Sequence, residues 1–266
     1  MIHFRSDNPV PKSMSYFVRH LVRFLCVAGA TTGLAVRCGA QTPTFTQFPV
    51  SPQGVLNGIA PGPDGNLWFT DISNNQVGKI TPGGAVTEWP LSNRAIEITT
   101  GPDGNLWFTE DLGNMIGRIT LDGTVTEFPI PTTLGCFNSC PQGIATGPDG
   151  NLWFTTPSGW VGRVTPAGSI TQIVTGGYSI GITAGPDGNL WFTEYSMNEI
   201  VRMTTAGVIT GEFPIPTPSA NPFGITVGAD GNLWFAELAG QKLGRITTAG
   251  VITEFPLPSP GVPSIS

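Results

Sequence analysis

Short runs of consecutive apolar residues alternate along this chain with polar breaks rich in Gly and Pro, and one such run recurs five times. It first reads Gly62-Pro63-Asp64-Gly65-Asn66-Leu67-Trp68-Phe69. It returns at Gly101 to Phe108, Gly147 to Phe154, Gly185 to Phe192 and, with Ala229 in place of Pro, Gly228 to Phe235. The starts lie 39, 46, 38 and 43 residues apart. A period of this length marks one supersecondary unit that buries its faces only by stacking on copies of itself. Pro-Asp presets a turn, because the ring fixes φ and the carboxylate bonds nearby N–H groups; the next Gly takes positive φ. Leu-Trp-Phe-Thr is apolar at consecutive positions, the pattern of a strand covered on both faces. Gly and Pro interrupt the chain too often for helices.

The fifth copy spells out a whole unit. Pro222 to Val227 is a first strand, Gly228 to Asn232 a hairpin and Leu233 to Glu237 a second strand. Lys242 to Thr247 is a third strand, and Val251 to Pro256 a fourth. Four short antiparallel strands per unit of about 40 residues predict an all-β fold, a β-propeller of four-stranded blades with five complete blades. The fourth strand alternates apolar residues with Thr and Glu, as suits a half-solvated rim. A Pro at its end (Pro90, Pro129, Pro214, Pro256) removes a donor and stops the ladder. Lys79, Arg118, Arg163, Arg202 and Arg245 recur at one site of the third strand, which suggests a structural cation beside a neighbouring carboxylate. Thr44 to Pro49 has the pattern of a fourth strand without a blade before it. Either five blades close with that strand to spare, or the chain is part of a larger ring.

Composition sharpens the domain picture. The chain has 36 Gly, 25 Pro and only 11% charged residues, but its periodic Trp, Phe, Ile and Val supply a core that low-complexity sequence lacks. Residues 1–40 form a leader: Arg5, Lys12, Arg19, His20 and Arg23 precede the apolar stretch from Phe24 to Ala30. Cys38-Gly39-Ala40 then sets small residues before Gln41. This pattern predicts a cleavable signal peptide and an extracytoplasmic (periplasmic or secreted) protein, with residues 41–266 as the propeller. A membrane anchor is the alternative, but the apolar run is short for a bilayer core of about 30 Å, so no stable span is expected after leader removal. A lipoprotein is disfavoured by Arg37 before Cys38.

Without the leader, five of twelve basic and one of eighteen acidic residues are lost, leaving seven against seventeen and a formal charge of −10. Such a surface excludes nucleic acid, whose binding rests on Lys and Arg at phosphates. Cys136 and Cys140 remain, in the insertion that stretches one spacing to 46. A local disulfide is the reading for an oxidising compartment; a metal site would need more ligands, and no His follows residue 20.

The repeated Gly-Ile-Thr-x-Gly-Pro-Asp-Gly-Asn-Leu-Trp-Phe-Thr-Glu, Ile-Gly-Arg-Ile-Thr and Val-Thr-Glu-Phe-Pro-Ile-Pro-Thr resemble the virginiamycin B lyase (streptogramin B lyase) family across residues 44–266. The resemblance implies a seven-bladed propeller that opens a cyclic depsipeptide antibiotic by elimination across its ester, using a magnesium ion. It also implies His immediately before Gly-Ile in two repeats, with Glu at the close of Trp-Phe-Thr-Glu and another upstream of one His holding the metal. Here the His position holds Asn57, Ile96, Gln142, Ile180 and Phe223. The Glu position holds Asp71, Glu110, Thr156, Glu194 and Glu237. Glu97 stands where other copies have Gly58, Gly143, Gly181 and Gly224, thirteen places before Glu110. If both project toward the channel, Glu97 and Glu110 could share Mg2+ or another hard cation. The alternative pairs Glu97 with Arg94 or solvent. Asp71, Glu194 and Glu237 are candidate ligand-binding residues on the same ring.

Three functions follow. The first is a lyase-like propeller without the family's base, binding a small molecule or a protein at its face. The second is a metal-dependent streptogramin lyase, and the third a metal-dependent lactonase-like propeller. No Ser-His-Asp arrangement is possible after the leader, because nothing supplies the imidazole.

Overall fold

The computed structural model describes residues 47–50, 54–131 and 141–258. The leader, Cys136 and Cys140 lie outside them. Of the expected strand at 44–49, residues 47–49 are irregular and the rest is also outside.

Among the described residues, twenty strands make five four-stranded sheets, each in simple sequential order. Blade 1 holds β1 (Leu56–Pro61), β2 (Leu67–Asp71), β3 (Gln76–Ile80) and β4 (Val86–Pro90). Blade 2 holds β5 (Ala95–Thr100), β6 (Leu106–Glu110), β7 (Met115–Ile119) and β8 (Val125–Pro129). Blade 3 holds β9 (Ile144–Thr146), β10 (Leu152–Thr155), β11 (Trp160–Val164) and β12 (Ile170–Val174). Blade 4 holds β13 (Ser179–Ala184), β14 (Leu190–Glu194), β15 (Glu199–Met203) and β16 (Ile209–Pro214). Blade 5 holds β17 (Pro222–Val227), β18 (Leu233–Glu237), β19 (Lys242–Ile246) and β20 (Ile252–Pro256). The blades are arranged as a β-propeller, as the repeat predicts.

The octapeptide works through its Asp. Asp103 Oδ1 accepts from the Asn105 backbone (3.2 Å) and the Trp107 indole (2.9 Å), and Oδ2 accepts from the Asn105 amide at 2.8 Å. Asp64, Asp149, Asp187 and Asp230 repeat the pattern. The following glycines hold φ between 72° and 77°, the left-handed region that an L side chain rarely adopts. One carboxylate thus closes the turn and fixes the Trp rotamer. The recurrent cation lies over that Trp: the Arg118 guanidinium is 5.6 Å from the Trp107 ring and 5.5 Å from Phe128. Its expected carboxylate partner is Asp103 at 3.9 Å, and Lys79 and Arg245 meet Asp64 and Asp230 likewise. Arg202 instead donates to Thr210 and, at 2.8 Å, to the Thr248 carbonyl in the next blade.

Each blade has two unlike faces. The Trp face of one packs on the Leu-Phe face of the next. Trp68 and Val77 meet Ile98, Leu106 and Phe108; Trp107 and Ile116 meet Leu152 and Phe154. Trp153 and Val161 meet Leu190 and Phe192; Trp191 and Ile200 meet Leu233 and Phe235. No comparable packing joins β17 to β1 among the described residues.

The inner strands add a polar joint. A register shift interrupts β1, β5, β13 and β17 one or two residues after their start, freeing one N–H from the ladder. The Thr closing Leu-Trp-Phe-Thr recovers it. Thr193 Oγ1 accepts from Gly181 N at 2.9 Å and donates to the Phe223 carbonyl of blade 5 at 2.7 Å. Thr70, Thr109 and Thr155 do the same toward Ile96, Gln142 and Ile180. Each blade is therefore hydrogen-bonded to the next at the propeller's axis.

Candidate functional site

Those irregular inner strands aim their residues at the axis. Asn57, Ile96, Gln142, Ile180 and Phe223, one from each blade, line a single cavity of about 200 Å³, together with Glu97. Bulges commonly re-aim side chains beside functional sites, and here the same residues that carry the joints form the cavity wall. Small residues make the approach possible. A Cβ on Gly181 would stand 2.5 Å from the Phe223 carbonyl oxygen, and one on Gly143 2.4 Å from that of Ile180. Glu97 carries a side chain at this position.

Among the described residues Glu97 is the only ionisable one lining the cavity. Burial pushes its carboxyl up to about 7. Arg94, the cation nearest in sequence, is taken by Asp111: its Nε donates to Oδ1 at 3.0 Å, and Nη2 pairs with Oδ2. Asn57 donates through Nδ2 to the Ile96 carbonyl at 3.0 Å, which leaves Oδ1 available as an acceptor. Asn57 and Gln142 enter the sequence reading only as positions lacking His. Their amides, in the same cavity as a carboxylate, are a feature that repeat alignment alone does not single out.

The remaining candidates lie elsewhere. None of Asp71, Glu110, Glu194 and Glu237 lines the cavity; each is buried at the end of its second strand. Asp71 Oδ1 accepts from the backbone of Val55, Ser73 and Asn74, and Oδ2 from the Asn74 amide at 2.8 Å, so its oxygens are committed to a loop. Glu110 Oε2 accepts from Asn93 at 3.2 Å, while Oε1 is buried without a partner. Burial, aided by the charge of Glu127, raises its carboxyl to about 7. Glu194 Oε1 accepts from Ser179 Oγ at 2.7 Å and Oε2 is unpartnered. Burial lifts this carboxyl to about 7 against the Ser179 bond, with Glu199 and Glu212 adding repulsion. Burial and Glu254 lift Glu237 to about 7 as well, opposed by Lys242. Glu97 and Glu110 thus have separate surroundings, one in the axial cavity and one beside Asn93. Among the described residues no three His, Cys, Asp or Glu side chains are grouped as a metal centre would need.

Comparison with known proteins fits this geometry. The profile of the Virginiamycin B lyase family matches residues 43–264. A virginiamycin B lyase of Bordetella parapertussis is 46% identical over 57 residues, which is 21% of this chain and only 19% of that protein. Among solved structures, a catalytically inactive His-to-Ala variant of virginiamycin B lyase from Staphylococcus aureus with quinupristin is 40% identical. It aligns with a TM-score of 0.75 over 82% of this chain and 75% of that one. A putative gluconolactonase, 20% identical with a TM-score of 0.62 over 78% of this chain and 79% of its own, shares the fold.

Proposed function

Because the chain belongs to the virginiamycin B lyase family, we propose that it is a lyase-like propeller that holds a small molecule in its axial cavity and does not carry out the ester-opening elimination. One observation carries this reading: the cavity residues at the family's histidine position are Asn57, Ile96, Gln142, Ile180 and Phe223. Elimination needs a base within hydrogen-bond reach of the departing proton, worth roughly 10²- to 10⁴-fold in rate. Amide and hydrocarbon side chains do not supply one. The inactive His-to-Ala variant of the Staphylococcus enzyme illustrates the same deficit in a relative.

The cavity does not fit a magnesium centre. Magnesium takes six oxygens in near-octahedral geometry, with one or two carboxylates among them. Among the described residues the cavity offers one carboxylate and the amides of Asn57 and Gln142 among Ile and Phe side chains, short of that number of oxygens, while Glu110, Glu194 and Glu237 sit outside it. What these walls supply is apolar contact and a few hydrogen-bonding groups, the ordinary make-up of a small-molecule site.

The purified chain, incubated with magnesium and a streptogramin B antibiotic, is expected to yield no linearised product. Metal-dependent turnover lost in Glu97→Ala would overturn the reading and identify Glu97 as a base. We propose further that the leader exports the protein beyond the cytoplasm. Amino-terminal sequencing of the protein recovered outside the cytoplasm should then begin at Gln41.

A further inference from the structure

We propose that the axial cavity takes a small organic cation, an ammonium group on an apolar body, with Glu97 as its counter-ion. The proposal rests on the reading of the cavity as a binding site and adds the class of its ligand.

The argument begins with what Glu97 lacks. Its carboxylate has neither hydrogen bond nor ion pair among the described residues, and its neighbour Arg94 is engaged by Asp111. Glu97 is half-buried at the cavity wall, and a partly desolvated carboxylate without a partner favours protonation or a cation brought to it. Among the described residues no Lys or Arg lines the cavity, which leaves a ligand to supply that cation. Asn57 Oδ1 adds an acceptor to the same wall, because the Asn57 Nδ2 is already spent on the Ile96 carbonyl. Gln142 contributes a second amide across the cavity.

The rest of the wall decides between kinds of cation. Ile96, Ile180 and Phe223 offer hydrocarbon and an aromatic ring, and Phe223 is 37% exposed. A bare hard cation would find too few oxygens there. An ammonium needs only a few acceptors; its apolar body profits from the isoleucines, and a ring face attracts it further. An anion meets Glu97 directly and is repelled.

Proton linkage gives a second handle. Burial holds the Glu97 carboxyl up at about 7, and an ammonium binds its ionised form. Affinity therefore rises with pH through that value and levels off above it, as long as the ligand stays protonated. Among the described residues the other blades present no further titratable side chain to the cavity: blade 1 gives Asn57, blade 3 Gln142, blade 4 Ile180 and blade 5 Phe223.

The test uses benzylammonium as probe, with benzyl alcohol as its uncharged counterpart and benzoate as the anion. Titrations of the full chain are followed by calorimetry and by NMR shifts of Ile96, Ile180 and Phe223 at pH 6 and pH 8. Benzylammonium should bind in preference to both others and more tightly at pH 8. Glu97→Gln should weaken it about tenfold or more, the worth of a hydrogen bond to a charged group, while leaving benzyl alcohol unaffected. The conservative Glu97→Asp, which keeps the charge, should retain part of the preference even if the Gln variant folds poorly. Equal binding of benzylammonium and benzyl alcohol, indifferent to Glu97, would overturn the assignment of ligand class while the cavity remained a site. Absence of cavity shifts with all three probes would overturn the binding reading beneath it as well.

Discussion

The four joints between blades and the two outer faces of the arc are built from the same residues, yet several of those residues differ sharply in burial. Leu106, Leu152, Leu190 and Leu233 are 0% exposed; Leu67, at the same place in blade 1, is 45% exposed. Trp68, Trp107, Trp153 and Trp191 are fully buried, whereas Trp234 of blade 5 is partly open, with Phe255 stacked on it at 5.3 Å. Ile59, at the position of the buried Ile98, Ile182 and Ile225, is 64% exposed. The polar joint follows the same division. Four blades carry the bridging Thr, and blade 5 has Ala236 at that position, with no such bond to another blade among the described residues. Burial of a motif residue is thus a property of the neighbouring blade, not of the motif. Its contribution to stability should differ accordingly.

Truncating the large side chains should show the widest contrast. Trp107→Ala removes a ring that is buried, stacked on Phe128 and bonded to Asp103, and is expected to cost about 3–5 kcal/mol in urea unfolding. Trp234→Ala should cost clearly less, because water already reaches that ring. Leu106→Ala should cost about 2–5 kcal/mol against under about 1 kcal/mol for Leu67→Ala. Equal losses within each pair would mean that in solution the outer faces are covered as fully as the joints.

The Thr joint gives a smaller and more specific contrast. Thr193→Val keeps the shape but strands the Gly181 N–H and the Phe223 carbonyl, at a cost of about 1–3 kcal/mol. The reverse change in blade 5, Ala236→Thr, should stay within about 0.5 kcal/mol.

Glu110 and Glu194 link the joints to pH. Their folded carboxyls titrate at about 7, above the ordinary value of 4.5, so the folded state holds protons that the unfolded state has released. Their contribution to stability should therefore be full below about 4.5, decline as pH rises toward 7, and level off above it. Glu194→Gln, which cannot ionise, should flatten part of that decline in thermal melts run from pH 5 to 8.

The smallest expected effect is a control. Gly104→Ala and Gly231→Ala both place a Cβ at φ near 75° and 72° in open space. Each should cost about 1 kcal/mol, with no difference between a joined blade and a terminal one, because that strain is local. A marked difference would show that the turns too are set by their neighbours.

Much of the fold was legible in the repeat because its causes are local. The Asp carboxylate, the Gly at positive φ and the indole that bonds back to the Asp lie within five residues of one another. Five copies therefore announce five hairpins, and the fourth-strand prolines announce where each blade stops. The candidate site was legible only in part. Glu97 stood out as the one break in a run of glycines, but its place in the axial cavity, and the turning of Arg94 toward Asp111, are not written in that break. Glu110, Glu194 and Glu237 shared a column with Asp71, yet each faces partners supplied by its own surroundings.

By itself the sequence determined the unit, its four strands, its turns and the absence of any imidazole beyond residue 20, since these depend on residue type and near neighbours. The tertiary structure alone decided that Asn57, Ile96, Gln142, Ile180 and Phe223, spaced 39, 46, 38 and 43 residues apart, meet around one cavity. It also decided which Leu and Trp are buried. Both depend on packing between blades, where a side chain's surroundings come from residues some forty positions away and no local pattern encodes them.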